Sequence, residues 1–415
     1  MVSELAVKIL ALSLVLGAVA GSIRPSKLLR QVPAAIFVLG NNNYLPGKNI
    51  PRADQPYYDF SFFRKKNLML GVVAGNIRPS KMLQQVPAAA IYVFGDSTLD
   101  VGNNNYLPGK NVPRPDRPFY GIDMPGSGKP NGRFSNGYNT ADFVAKIMGF
   151  MSSPPPYLSL APSSDNLVLT AMDTGVSYAS SGAGILDSTV QYFNATWSKM
   201  VASKGFGAVS TLLSRSVFLI GLGGNDLSAF ANTQQAQSDV AAFYRILISN
   251  YKATITDLYT MGARKYAVIN VGLSGCLPVA RVLDPTGACS TTRNKLAAGF
   301  NDALRSLLAG LAPRLPGLVY SLADSYGIMV DIFADPQASG FTDVSSACCG
   351  TGRLGAGGCS PTSTLCANHG QHYFWDGIHP SQRAASLRVQ AFYDGPAMYT
   401  TPINFKQLVF ASGTQ

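Results

Sequence analysis

Ser97 stands in Gly95-Asp96-Ser97-Thr98, directly after a short apolar run. A serine hydroxyl there could attack a carbonyl from a sharp turn, although Asp-Ser-Thr after a strand is also ordinary turn and capping chemistry. A serine nucleophile needs a base, usually histidine. The chain has three: His369, His372 and His379. In Phe374-Trp375-Asp376-Gly377-Ile378-His379-Pro380 an acid precedes the histidine by three residues. One short turn would bring that carboxylate to Nδ1, fix the tautomer and leave Nε2 free to take a proton. A capping Asp beside a surface His would have the same spacing. His369 and His372 have no acid spaced in this way and read as loop residues. A three-histidine metal site would lack both helical placement and further obvious ligands. Acyl transfer also needs donors for a developing oxyanion. Asn225, in Gly223-Gly224-Asn225-Asp226, offers an amide, and Ser180-Ser181-Gly182-Ala183-Gly184 offers bare backbone N–H groups; either stretch could equally be an ordinary turn or loop. No GxSxG occurs: Ser274 follows Gly272, but Cys276 stands where the second glycine would be, which argues against a nucleophile elbow.

The elements that would position these groups alternate in type. Ala88–Phe94, Val217–Leu222, Lys265–Val271 and Leu318–Leu322 are short apolar runs of strand character, each closed by turn residues. Between and after them, helical spacing runs over Thr140–Met148, with Thr140 as a possible cap, and over Ala236–Met261, Arg293–Leu311 and Tyr326–Phe333. Such alternation predicts a parallel sheet covered on both faces. Working groups then sit on loops after the carboxyl ends of strands. Asn103–Pro130, rich in Gly, Pro and Asn, reads as loop, and with Ser152–Ser164 it would set specificity.

With 47% hydrophobic and 13% charged residues, the chain can bury a sizeable core. Its net charge of +11 is unevenly spread: residues 1–90 hold 11 basic and 3 acidic residues, leaving 22 and 19 for the rest. The body is therefore near neutral, which excludes a nucleic-acid-binding module. At the N-terminus, Lys8 precedes the apolar run Ile9–Ala20, which ends in Ala18-Val19-Ala20. That pattern predicts a cleaved secretory signal over residues 1–20 and no transmembrane segment. The six cysteines all lie in the C-terminal third, and an even number after a signal predicts disulfides, with Cys276–Cys289 a local staple. Asn194-Ala195-Thr196 is a glycosylation sequon whose use depends on exposure.

A segment is present twice. Leu14–Lys27 matches Leu68–Lys81, and the likeness continues through a shared Asn-Asn-Asn-Tyr-Leu-Pro-Gly-Lys-Asn run, Asn41–Asn49 and Asn103–Asn111. The first copy passes from Gly40 to Asn41, whereas the second inserts seven residues, Asp96–Gly102, between Gly95 and Asn103. Those seven contain Ser97, so the shorter copy supplies no second nucleophile. Residues 21–85 are expected to be peripheral or poorly ordered, and residues 86–415 to form the working domain.

Taken in order, these stretches resemble the GDSL esterase/lipase family of plants, within the SGNH hydrolases. Phe94-Gly95-Asp96-Ser97 looks like the first block, with Thr98 where the family name has Leu. Tyr178–Gly184 resembles the second block, with Ser181 where Gly is usual. Gly223–Asp226 is similar to the third block, and Phe374–Pro380 to the last. The resemblance implies a flavodoxin-like three-layer α/β/α sandwich with a parallel sheet, and neither cofactor nor metal. It implies Ser97 as nucleophile, His379 as base and Asp376 as its orienter, with Ser97 N–H, Gly182 N–H and the Asn225 amide as oxyanion hole. The expected function is a secreted serine esterase or lipase acting on small-molecule or lipid esters. The alternatives are a transacylase on the same site, or a silent binding protein of the same fold.

Overall fold

The computed structural model describes residues 88–185, 189–233 and 239–411. The expected signal and the duplicated segment lie outside the described residues. The four anticipated strands form, each within a residue or three of its expected bounds: β1 Ile91–Gly95, β2 Val217–Gly221, β3 Lys265–Ile269 and β4 Val319–Ala323. They pair in parallel in that order, Ile91 with Val217, Val217 with Lys265 and Lys265 with Val319.

The connecting helices, in chain order, are α1 Thr140–Ile147, α2 Tyr157–Leu160, α3 Ser164–Asp173, α4 Thr189–Lys204, α5 Phe206–Arg215, α6 Gly224–Ala231 and α7 Val240–Thr260. They are followed by α8 Pro278–Arg281, α9 Thr291–Leu311, α10 Ser325–Ala334, α11 Gln382–Asp394 and α12 Phe405–Phe410. Two small pairings lie beyond β4: β5 Asp343–Ala347 with β8 His372–Phe374, and β6 Cys349–Gly350 with β7 Thr364–Leu365. A short antiparallel strand, β9 Thr400–Thr401, closes the main sheet against β4.

Strand side chains alternate between two cores, as a two-residue period requires. Tyr92, Phe94, Phe218, Ile220, Tyr266 and Val268 face one way, onto α3–α7 and α9. Ile91, Val93, Val217, Leu219, Ala267 and Ile269 face the other, onto α1 and α10–α12. Both faces are thus covered, and the domain is a three-layer α/β/α sandwich. Cys276–Cys289 forms as expected, joined by Cys348–Cys366 and Cys349–Cys359.

Two local details differ from expectation. The cap of α1 is Asn139, not Thr140: its side chain accepts from Asp142 N–H, while Asp142 accepts in return from Asn139 N–H. A reciprocal capping box meets two unpaired donors where one hydroxyl would meet one. The stretch Thr174–Ser180, outside all four anticipated strands, is an edge strand in all but name. Ile91 and Val93 N–H donate to Thr174 and Val176 O at 3.0 and 3.1 Å, and Tyr178 and Ser180 N–H donate back to Val93 and Gly95 O at 2.7 and 3.0 Å. This fixes where a site can lie. After β1 the chain crosses to one side to make this edge, then to the other side to make β2. The carboxyl end of β1 is therefore a topological switch point, the place where open α/β sheets form binding crevices.

Candidate active site

Ser97 sits at that switch point. Strand β1 ends at Gly95, where a Cβ would stand 2.5 Å from Leu99 Cδ1 and 3.1 Å from Gly221 O. Only glycine lets the chain turn here while Leu99 tucks over the ends of β1 and β2. Asp96 ties the turn by accepting from Thr98 N–H and hydroxyl at 2.9 and 2.8 Å. Burial raises the Asp96 pKa, against the pull of those two bonds.

His379 arrives from the far end of the chain. Its Nε2 lies 2.7 Å from Ser97 Oγ, and its Nδ1 lies 2.9 and 2.8 Å from the two oxygens of Asp376. All three residues are buried. The turn that carries Asp376 and His379 is closed by Trp375 N–H to His379 O at 2.8 Å. Asp376 Oδ1 also accepts from the N–H groups of Ile378 and His379, each at 2.8 Å. Burial pushes the Asp376 pKa up, but the His379 ring and these N–H donors outweigh it, so the carboxyl titrates below its usual range. The two disulfides at Cys348 and Cys349 back this turn, since Cys348 N–H donates to Phe374 O at 3.0 Å and Cys349 N–H to Trp375 O at 2.7 Å.

Gly182 and Asn225 come to the same end of the sheet. Gly182 has φ +90°, a left-handed conformation that favours glycine, and a Cβ there would meet nothing within 4 Å. Asn225 opens α6, and its Nδ2 donates to Ala183 O at 2.8 Å. That bond fixes the amide and leaves its second N–H proton unspent on this partner. Asp226 accepts from Ile185 N–H at 2.9 Å, so the Gly-Gly-Asn-Asp turn grips the segment carrying Gly182.

Several residues that build the site had no signal in local spacing. Asp100 accepts from Gly102 and Asn103 N–H at 2.7 and 2.8 Å and from Ser181 N–H at 3.2 Å. Burial raises its pKa to about 6 despite these donors. Asn103 Nδ2 holds Ser177 O and Ala179 O, each at 2.8 Å, and Asn104 accepts from Ser181 N–H and the Ser180 hydroxyl. The asparagine run thus pins the edge strand and the glycine turn beyond it. Tyr120 donates to Asp376 Oδ2 at 2.8 Å, and the Phe134 ring lies 4.8 Å from that of His379.

The other two histidines do meet acids, though none at the spacing of Asp376 and His379, and His372 lies in a strand rather than a loop. His369 Nδ1 lies 2.8 Å from Asp123 Oδ2, and His372, at the start of β8, has Nε2 3.7 Å from Asp343 Oδ2. Their partners lie far away in sequence, beyond the reach of a spacing argument. Among the described residues, Cys348, Cys366 and His372 lie close enough to share a metal ion, but both sulfurs are already joined in a disulfide.

A cavity of about 150 Å³ opens beside Ser97 and Asn225. Leu99, Leu222, Val271, Leu273 and Met329 give it apolar walls. Thr140 Oγ1, from a residue that also lines it, is buried without a hydrogen-bond partner in the protein.

Residues 91–392 match the GDSL-like lipase/acylhydrolase family. Relatives in Arabidopsis thaliana agree over most of the chain. One GDSL esterase/lipase is 36% identical over 353 residues, covering 79% of this chain and 93% of its own. Another, GDSL esterase/lipase LTL1, is 35% identical over 343 residues, covering 77% and 90%. Solved structures match at lower identity. A catalytic mutant of an acetylxylan esterase from Geobacillus stearothermophilus has TM-score 0.33 at 10% identity, covering 79% of this chain and 96% of its own. An extracellular lipase from Streptomyces rimosus has TM-score 0.29 at 15% identity, covering 73% and 99%. The chain belongs to the GDSL lipase/acylhydrolase family, and it is a carboxylic ester hydrolase.

Proposed function

We propose that the protein is a secreted serine esterase that works through an acyl-enzyme. The observation that carries this reading is the buried chain of contacts Ser97 Oγ–His379 Nε2 at 2.7 Å and His379 Nδ1–Asp376 at 2.8 Å. Ser97 Oγ attacks the ester carbonyl while Nε2 takes its proton. Asp376 holds Nδ1–H and stabilises the imidazolium that forms. The negative charge on the carbonyl oxygen is met by Ser97 N–H, Gly182 N–H and the Asn225 amide. His379 then gives its proton to the leaving alcohol, and water repeats the sequence to release the acid. The apolar cavity beside Ser97 suits the acyl half of the substrate. Secretion is supported by the charged and apolar leader, Lys8 then Ile9–Ala20, and by three disulfides that need an oxidising compartment.

The test is covalent. An alkyl organophosphonate should label the protein at Ser97, found by mass spectrometry of the tagged peptide. Ser97→Ala should lose both the label and hydrolysis of a short-chain aryl ester. Hydrolysis that survives in Ser97→Ala at the wild-type rate overturns the reading.

A further inference from the structure

We infer that Tyr120 is a positioning residue for the catalytic base: its hydroxyl holds the free edge of the Asp376 carboxylate, and the segment around it clamps the turn carrying His379. The inference rests on the serine-esterase reading above. Tyr120 OH donates to Asp376 Oδ2 at 2.8 Å, and both residues are buried. Oδ1 is already taken by the two backbone N–H groups of Ile378 and His379. Tyr120 therefore completes the carboxylate, which otherwise would leave Oδ2 with the imidazole alone in a site closed to solvent. Burial and the neighbouring carboxylate push the Tyr120 phenol well above its usual range, so it remains a donor wherever the enzyme works.

The segment is built to hold that position. Tyr120 meets Phe134 edge-on at 5.9 Å, and Phe134 lies against the His379 ring at 4.8 Å. Gly121 N–H donates to Ser135 O at 2.9 Å and Asp123 N–H to Asn136 O at 2.7 Å, which locks residues 120–123 alongside 134–136. Both arms then grip the C-terminal block. Asp123 meets His369 Nδ1 at 2.8 Å, and Asn136 Oδ1 accepts from Gln382 N–H at 2.8 Å, at the start of α11. Phe119, just before Tyr120, has φ +81°. A non-glycine residue there is strained, and such strain persists only where the surroundings over-determine it.

Removing the hydroxyl has two consequences with definite signs. The carboxylate loses a donor, so its charge acts more strongly on the imidazolium and the base holds its proton more firmly. The ring also loses one restraint on its orientation. Tyr120→Phe keeps the packing on Phe134 and should lower kcat ~10-fold, as expected for losing one hydrogen bond to a charged group. KM should stay within about twofold, because the bond acts on the base and not on bound substrate. The acid limb of the kcat/KM profile should move to higher pH.

The experiment measures kcat, KM and pH profile on a short-chain aryl ester for the full protein and for Ser97→Ala, Tyr120→Phe, Asp376→Ala and the double variant Tyr120→Phe/Asp376→Ala. If Tyr120 acts through Asp376, the Phe substitution should change nothing once Asp376 is gone. A folded Tyr120→Phe with wild-type kcat and an unmoved acid limb overturns the inference. So does a Phe effect that adds in full to that of Asp376→Ala. Should Tyr120→Phe not fold, 3-fluorotyrosine at position 120, a stronger donor, must move the limb to lower pH, and an unmoved limb overturns the inference. Activity retained by Ser97→Ala would instead refute the serine mechanism itself, so the two failures are distinguishable.

Discussion

Asn225→Ala tests the assignment of the oxyanion site most sharply. The Asn225 amide is anchored by its bond to Ala183 O at 2.8 Å, so one proton is committed and the other is available to a substrate oxygen. An oxyanion donor is aimed at the tetrahedral oxygen and not at the planar carbonyl, so its loss should appear in kcat. Removing one such donor costs about 3–4 kcal/mol, or ~10²- to 10³-fold. The lost tie to Ala183 adds a stability cost of about 1 kcal/mol, a typical net hydrogen bond. Kinetics on an aryl ester should therefore show kcat down by that factor, KM within a few-fold, and a small drop in melting temperature. A boronic acid that forms a tetrahedral adduct at Ser97 should weaken by a similar factor, because it reports the same geometry. Asn225→Asp is the isosteric companion. It sets a carboxylate against both Ala183 O and the developing charge, and should be at least as damaging. The reasoning is refuted if Asn225→Ala raises KM while leaving kcat intact, since the amide would then bind ground-state substrate only.

Other expectations use different observables. Asp100→Asn should alter the pH dependence of stability. With its folded pKa raised to about 6, Asp100 binds a proton more readily in the folded than in the unfolded chain. Its contribution therefore falls as pH rises from about 4 to 6, by up to about 3 kcal/mol for a shift of roughly two units. Denaturant melts of wild type and variant should diverge across that window and run parallel above it; parallel curves throughout would sink the assignment. Gly95→Ala forces a methyl to 2.5 Å from Leu99 Cδ1 and 3.1 Å from Gly221 O. It should cost about 1–3 kcal/mol as overpacking and lower kcat by moving Ser97, whereas an unchanged melt and rate would show the turn can relax. Replacing Cys276 and Cys289 by Ser opens a loop with sequence separation 13 and should destabilise by about 3 kcal/mol, read from the denaturation midpoint. A change under ~1 kcal/mol would mean the loop is held by its other bonds.

Sequence patterns revealed the parts of this protein whose signals are local. The four sheet strands are short apolar runs cut off by glycine or polar turns, and each has that signature by itself. Asp376 and His379 are three residues apart, so one turn carries their whole geometry. The remainder depends on distance. Tyr120 and Asp376 are 256 residues apart, and Asp123 and His369 are 246 apart; nothing in the spacing of either pair announces a contact. The edge strand at Thr174–Ser180 was obscured for a different reason. Beyond β1 it pairs only through one bridge, Ser177 with Pro156, and its backbone is tied down by the side chains of Asn103 and Asn104, a run that reads as loop because asparagine favours turns. Helix α4, Thr189–Lys204, has a weak apolar stripe, with Phe193 and Met200 buried among mostly polar neighbours, so its period is faint.

The seven residues Asp96–Gly102, missing from the shorter repeat, show how tightly the site is bound to its fold. They supply Ser97, the proposed nucleophile, and they also supply Leu99, which fills the space left by Gly95 and Gly221. Asp100 is among them, and its carboxylate gathers the N–H groups of Gly102, Asn103 and Ser181, so that one side chain joins the nucleophile turn, the asparagine run and the glycine turn. The shorter copy retains three asparagines, Asn41–Asn43, but has no counterpart of Asp100. A serine restored to that copy alone would therefore not make a second site. Ser97 sits where it does because the residues within three positions of it also build the wall that faces it.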